Sequence, residues 1–373
     1  MFFNYNFRNY NYRLFLYTLL LNIIGVLVIR SASNQDSSMV RKQIMGILIG
    51  AVAIIVLSLV DYHKIMMIAP VIYGSGLVGL LAVLGFGVSR GIATRWLVLP
   101  VIGQVQPSEF VKVGLIVFFS WFFNKYQERI NQVRVLMTAV GLYLIAFLLI
   151  FMQPNLSTSL VTAVIFLCML FVAGLSYRWI LGALAVLIPC GALFIYLLQY
   201  NMVPFLKDYQ VRRIMAFIDP AGYAEANLQQ KNSIMAIGSG MLQGKGLNNN
   251  TLASVKNGNF LSEEQTDFIF AVIGEELGFV GCVLVIILIA LAVYECLLMA
   301  ARARDMSGRL LCIGHATLLA FQSFANIAVA TGIFPNTGLP LPFISYGVSS
   351  LMSISLGIGI VMNVGLQRRT SNY

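Results

Sequence analysis

Apolar runs long enough to cross a bilayer follow one another along nearly the whole chain, at residues 14–33, 43–60, 65–87, 107–123, 135–152, 156–174, 180–200, 267–299, 310–332 and 345–366. A helix needs about 20 such residues to span the hydrocarbon, so ten spans use roughly 200 residues. Composition agrees. The residues AVILMFWYC make up 59% of the 373 and DEKR only 10%, against about 25% charged in a soluble domain. A water-soluble fold would have too few polar side chains to cover its surface. The expectation is an all-α polytopic membrane protein of about ten transmembrane helices, a single membrane domain over residues 1–373. The first run starts almost at the N-terminus without a small-residue cleavage site and reads as a retained anchor.

Charge sets the orientation. A formal net charge of +10 would suggest nucleic acid in a soluble protein. Here the basic residues lie between spans, where orientation and anionic headgroups explain them, and no nucleic-acid partner is expected. With the N-terminus in the cytoplasm, twelve Lys and Arg fall in inner segments, against Arg30, Arg41, Lys42, Arg90 and Arg95 in short outer ones. That bias places both termini in the cytoplasm. Residues 201–266 then form one long extracytoplasmic loop with structure of its own. Val211, Ile214, Met215 and Ile218 recur at helical spacing with Arg212 and Arg213 beside them, predicting a short helix on the membrane surface. Asp219-Pro220-Ala221-Gly222 ends it, and a second helix is expected near 226–237. The five cysteines (Cys168, Cys190, Cys282, Cys296 and Cys312) all sit in apolar runs without C-x-x-C spacing. They read as buried small hydrophobes, and no metal site is expected.

Charges at the ends of membrane spans are costly and default to function. Asp267 stands where the long loop enters an apolar helix whose same face continues as Ala271, Gly274 and Gly278, small residues that admit a neighbouring helix. A carboxylate there can act as a general base. Thr266 and Asp267 read equally well as a helix cap. Glu276 points away from Asp267 and suits a structural hydrogen bond. A second constellation is Arg95-Trp96 followed by Gln106-Pro107-Ser108-Glu109-Phe110-Val111-Lys112. Pro at the first helical position marks a helix start, and Lys112 falls one turn below Glu109 on the same face. Lys112 either makes a private pair with Glu109 or steers Asp267 or an anionic substrate. Polar breaks at Gln153–Ser159 and Phe334–Gly347, the latter including Ser345, complete the set. Irregular backbone at membrane depth is tolerated only inside protein or along a wet cavity. Gly244-Lys245-Gly246 lacks Walker A spacing and is either a simple turn or a loop flexing around a substrate.

At these residues the sequence resembles, essentially end to end, the shape, elongation, division and sporulation family, the polytopic peptidoglycan glycosyltransferases typified by RodA and FtsW. The motifs that carry the resemblance are Gln106-Pro107-Ser108-Glu109 with Lys112, Ala236-Ile237-Gly238-Ser239-Gly240, Gly244-Lys245-Gly246, Thr266-Asp267-Phe268-Ile269-Phe270-Ala271, Gly274-Glu275-Glu276-Leu277-Gly278 and Pro342-Phe343-Ile344-Ser345-Tyr346-Gly347. Gly-Lys-Gly leans toward elongation-type members. Ser262 and Gln265 replace the family's usual Pro and His before the helix, and Gln265 cannot gain a proton as His could. The resemblance implies a ten-helix enzyme of the bacterial cytoplasmic membrane that polymerises lipid II outside it, in elongation, shape or division. It implies Asp267 as the essential acid and places Arg95, Trp96, Glu109 and Lys112 in a polar cavity. A class B penicillin-binding protein that cross-links the strands is the implied partner.

The chemistry expected on this basis is inverting glycosyl transfer from a polyprenyl-pyrophosphate-linked glycan to lipid II. Asp267 is the base, and Arg95, Lys112, Arg212 and Arg213 are candidate cations for the leaving diphosphate. Lys245 and Ser345 join the expected substrate-binding set. No cofactor is required, although a divalent cation, Mg or Mn, could bridge the diphosphate. No dedicated cage for one is legible. Rival readings are a lipid II translocator, for which polar clefts would serve headgroup passage, and a non-catalytic scaffold, in which Asp267 is a removable cap.

Overall fold

The computed structural model describes residues 7–33, 36–90, 93–99, 103–200, 208–248 and 264–367. Every apolar run is helical. The first set comprises α1 (Tyr12–Ala32), α2 (Ser37–Leu59), a short α3 (Tyr62–Met67), α4 (Ala69–Phe86), α5 (Pro107–Lys125), α6 (Val133–Met152), α7 (Leu156–Val172) and α8 (Tyr177–Gln199). Two helices of the long loop follow, α9 (Asp208–Ile218) and α10 (Ala224–Ser239), then α11 (Ile269–Arg302), α12 (Met306–Ala330) and α13 (Val348–Leu366). Eight of these are long and apolar enough to cross a membrane by length and composition. The remaining two expected spans are α5, which carries Glu109 and Lys112 near its start, and the 17-residue α7. The protein is a multi-pass, all-α membrane protein.

Three local features depart from the sequence reading. The run expected at 65–87 is broken between α3 and α4, because Pro70 has no N–H to continue the helical ladder. The segment before α5 holds a small antiparallel sheet, β1 (Val88–Arg90), β2 (Ala93–Leu99) and β3 (Gly103–Val105), with β2 in the middle. Its Thr94-Arg95-Trp96-Leu97-Val98 run has the β-branched and aromatic character of a strand. The cysteines divide: Cys282, Cys296 and Cys312 are buried, Cys168 is half-buried and Cys190 is exposed. Cys190 lies on α8, which is exposed along most of its length and meets the rest chiefly where Leu198 packs with Val211 and Ile214.

The bundle is centred on α12, which packs against α5, α7, α10, α11 and α13, while α13 lies along α2 and α1 along α11. Because lipid is as apolar as the side chains, helix association rests on close packing and internal polar bonds. Aromatic contacts join α5 to α6 and α7: Phe119 meets Phe166 edge-on at 4.9 Å, and Tyr143 stacks on Phe166 at 4.4 Å.

Both expected loop helices are present, the amphipathic one as α9 and the second, near 226–237, as α10, and Asp219 Oδ1 accepts from the Gly222 amide at 3.0 Å to close the turn between them. After α10, the Gly-Lys-Gly turn splices into a break in α11. Gly278 has φ 65° and ψ −163°, a region essentially confined to glycine. The peptide groups freed by the break find partners in the turn. Lys245 N donates to Glu275 O at 2.9 Å, Gly246 N to Glu276 O at 3.0 Å and Phe279 N to Met241 O at 2.8 Å. A side chain on Gly244 would begin 2.2 Å from the Glu276 carbonyl oxygen. Gly278→Ala should therefore cost about 1–3 kcal/mol and lower the Tm of the purified protein in detergent. Gly141→Ala, at a helical position where the added carbon meets no neighbouring segment within 4 Å, should hold or raise Tm.

Candidate functional site

Four breaks in the helical ladder meet at one end of the bundle: the starts of α5, α7 and α11 and the loop before α13. Helix α11 begins at Ile269 with Phe268 in the N-cap position and no side-chain capping bond there, so Asp267 is not the cap residue. Phe268 is buried with Ala236, Ala271 and Val329, which anchors the turn carrying Asp267. The Asp267 carbonyl accepts from Asn326 Nδ2 at 2.8 Å, and the same nitrogen donates to Leu339 O at 2.6 Å. Asn326 thus clamps the Asp267 turn to the proline-rich loop.

That loop brings Gly338 against the carboxylate. Gly338 has φ +72°, and the point where a side chain would start is 3.0 Å from Asp267 Oδ2 and 3.6 Å from Arg213 Nη1. Only glycine combines this backbone with this proximity. Arg213, on α9, lies over the ring of Tyr209 one turn earlier, 5.8 Å from its centroid. The Tyr209 hydroxyl donates to Pro154 O at 2.9 Å and accepts from Arg95 Nη2 at 3.4 Å. Arg95 also donates to Pro154 O. Burial lowers the Arg95 pKa most, Tyr209 and Asp267 push it back up, and Arg213 adds to the lowering. Arg95, Arg213 and Asp267 therefore share one electrostatic site.

The other expected residues occupy different places. Trp96 is half-buried and follows Arg95 on β2, where successive side chains leave opposite faces of the strand. Arg212 is exposed beside Arg213. Lys112 is fully buried below the site, with Nζ 2.9 Å from Glu109 Oε2 and 2.7 Å from Gln322 Oε1. It pairs inside the bundle, and Gln322 passes the connection on by donating to Pro340 O at 2.9 Å. The Ser345 hydroxyl donates to Thr266 O at 2.6 Å and accepts from Leu341 N at 2.8 Å, tying the loop to the Asp267 turn. Lys245 forms an ion pair with Glu275 at 2.8 Å within the spliced turn, and Glu276 accepts from the Ser31 hydroxyl. That last contact is the structural hydrogen bond expected of Glu276. Sequence reasoning missed Tyr209, Gln322, Asn326 and Gly338. Gln322 and Asn326, amides one turn apart in the apolar C-terminal half of α12, carried a signal that could have found two of them.

A cavity of about 270 Å³ opens between α4 and α5, lined by Tyr73, Leu77, Val105, Phe110 and Val111 among others and reaching Leu97, two residues after Arg95 on β2. Among the described residues no three His, Cys, Asp or Glu side chains converge as metal ligands. The site's donor set of one carboxylate with two arginines does not form a protein cage for a cation.

These features define a multi-pass helical membrane protein with an acid and two arginines gathered at one bundle end next to an apolar groove. Residues 12–370 match the cell cycle protein family FtsW/RodA/SpoVE, and the chain belongs to that family. It is 37% identical over 358 residues to the peptidoglycan glycosyltransferase MrdB of Escherichia coli (strain K12), covering 94% of this chain and 91% of that protein. It is 31% identical over 371 residues to stage V sporulation protein E of Bacillus subtilis (strain 168), covering 94% and 95%. Among solved structures, the fold is similar to a chain in a work on structural coordination of polymerization and crosslinking by a peptidoglycan synthase complex. There the TM-score is 0.80 at 28% identity, covering 96% of this chain and 98% of that one. It is also similar to the rod shape determining protein RodA of Thermus thermophilus, with TM-score 0.69, 26% identity and 99% of each chain covered.

The buried pair yields a test of the site's foundation. Lys112→Met leaves the Glu109 carboxylate, only 3% exposed, without its cation, and should cost about 3–5 kcal/mol. Adding Glu109→Gln should recover most of the loss, read as a double-mutant cycle in thermal unfolding.

Proposed function

We infer that the chain is a peptidoglycan glycosyltransferase that polymerises lipid II into glycan strands. The observation that carries this reading is the Asp267 carboxylate set over Gly338 beside the Arg213 guanidinium, with Arg95 held in the same charged neighbourhood through Tyr209, and relatives bearing that activity in their names support it. Asp267 takes the proton from the GlcNAc 4-hydroxyl of the acceptor as that oxygen attacks C1 of the donor MurNAc. The bond from C1 to the diphosphate oxygen breaks, the configuration at C1 inverts, and polyprenyl diphosphate leaves with the bonding electron pair. Arg95 and Arg213 offset the charge that develops on the leaving group, where low-dielectric surroundings make such stabilisation large. The apolar groove between α4 and α5 suits a polyprenyl tail, which confines both reactants to one plane and raises their encounter in the reactive orientation.

The bias of twelve inner against five outer basic residues supports cytoplasmic termini in the bacterial cytoplasmic membrane and a reaction at its outer leaflet. Residues 201–266 then lie outside as one loop of a single membrane domain. Similarity to a chain of a peptidoglycan synthase complex supports a class B penicillin-binding protein as partner. A divalent cation, if one takes part, is held mainly by the diphosphate.

Purified protein in liposomes supplied with lipid II should yield glycan strands, and Asp267→Asn should reduce the rate by about 100- to 10,000-fold, the usual worth of a general base. Polymer from the variant at the wild-type rate contradicts the assignment. Transfer of lipid II across the bilayer without polymer would describe a translocator instead.

A further inference from the structure

Tyr209 lies outside every motif that carries the resemblance, yet it touches both arginines of the site. Its hydroxyl meets Arg95 Nη2 at 3.4 Å, and its ring lies beneath the Arg213 guanidinium at 5.8 Å. Two like charges repel each other, and further contacts are what hold them in a fixed spacing. Arg95 is tied through Pro154 O, to which the Tyr209 hydroxyl also donates. Arg213 sits one turn after Tyr209 on α9, so ring and guanidinium share a helix face and a cation–π contact. The Arg95 Nε is buried with no acceptor among the described residues, so the side chain is fixed by its Nη2 contacts alone. Paired guanidinium groups suit the paired oxygens of a phosphate-type anion.

We propose that Tyr209 is a positioning residue that holds Arg95 by its hydroxyl and Arg213 by its ring, making a two-arginine clamp for a diphosphate next to Asp267. This rests on the glycosyltransferase reading for the identity of the natural ligand, the diphosphate of a lipid-linked sugar. The clamp itself is a statement about anion binding and is testable without turnover. Arg212, exposed and outside the contact, takes no part.

The experiment uses inorganic pyrophosphate as the probe, titrated calorimetrically into the full-length protein, together with steady-state polymerisation in liposomes. Losing a charge-assisted contact of this kind costs about tenfold or more in affinity. Tyr209→Leu, which removes ring and hydroxyl, should weaken pyrophosphate binding by about tenfold or more and raise KM for lipid II more than it lowers kcat. Tyr209→Phe keeps the ring and should weaken binding by about threefold while the protein still folds, with at most a small fall in Tm. Arg129→Ala, an exposed cation past the far end of α5, should bind as wild type. If Tyr209→Leu does not fold, Tyr209→Phe decides alone. Wild-type pyrophosphate affinity in the Tyr209 variants overturns the clamp, as does a fall in kcat with affinity intact. Asp267→Asn separates the two readings. Active Asp267→Asn protein removes the general base while the titration still decides the clamp.

Discussion

Lys112 carries its ammonium group where the structure leaves it no exposure at all, and a charge in that position must be paired and hydrogen-bonded or the fold pays heavily. Glu109 supplies the opposite charge and Gln322 the remaining oxygen. The consequence reaches beyond the pair, because Gln322 spends its other end on the Pro340 carbonyl. A loop with prolines at 335, 340 and 342 is poor in N–H groups, and its carbonyls need donors from elsewhere. Gln322 and, one turn later, Asn326 provide them from α12, which packs against five other helices. Asn326 also holds the Asp267 carbonyl. The position of the carboxylate is thus determined by a rigid pair of helices, even though Asp267 itself lies in a turn.

The same division of labour explains the glycines. Gly338 admits the carboxylate, while Gly244 and Gly278 allow a turn from the long loop to enter α11 and satisfy the peptide groups freed there. Without those partners a broken helix at membrane depth would leave polar backbone in hydrocarbon. The Lys245–Glu275 ion pair closes this junction, so the Gly-Lys-Gly motif serves the architecture that supports α11.

Much of this was legible beforehand because membrane spans announce themselves by length and apolarity. All ten expected helices are present, and the amphipathic stripe from Val211 to Ile218 did become a helix. Asp267 and Lys112 are conspicuous because charges within spans are rare, and the i, i+3 spacing offers Lys112 a pair with Glu109 without deciding between that pair and a steering role. Less visible was everything decided by tertiary contact. Ser345 resembled a substrate contact, yet its hydroxyl is spent on Thr266 and Leu341. Trp96 adjoins Arg95 in sequence, but a strand sends the two side chains to opposite faces. Tyr209 is one aromatic among 16 tyrosines, and only the approach of β2 to α9 adds Arg95 to the Arg213 that stands one turn away on the same helix.

An acid and two cations at one bundle end, beside an apolar groove, form a site matched to a substrate with a sugar, a diphosphate and a long hydrocarbon tail. The account stands or falls on where the acceptor hydroxyl lies. A structure of the Asp267→Asn protein with lipid-linked donor and acceptor both bound measures this directly. The account predicts the acceptor 4-hydroxyl within about 2.6–3.2 Å of the residue 267 side chain, with the donor diphosphate on Arg95 and Arg213. A hydroxyl bound far from residue 267, with the diphosphate elsewhere, would contradict it.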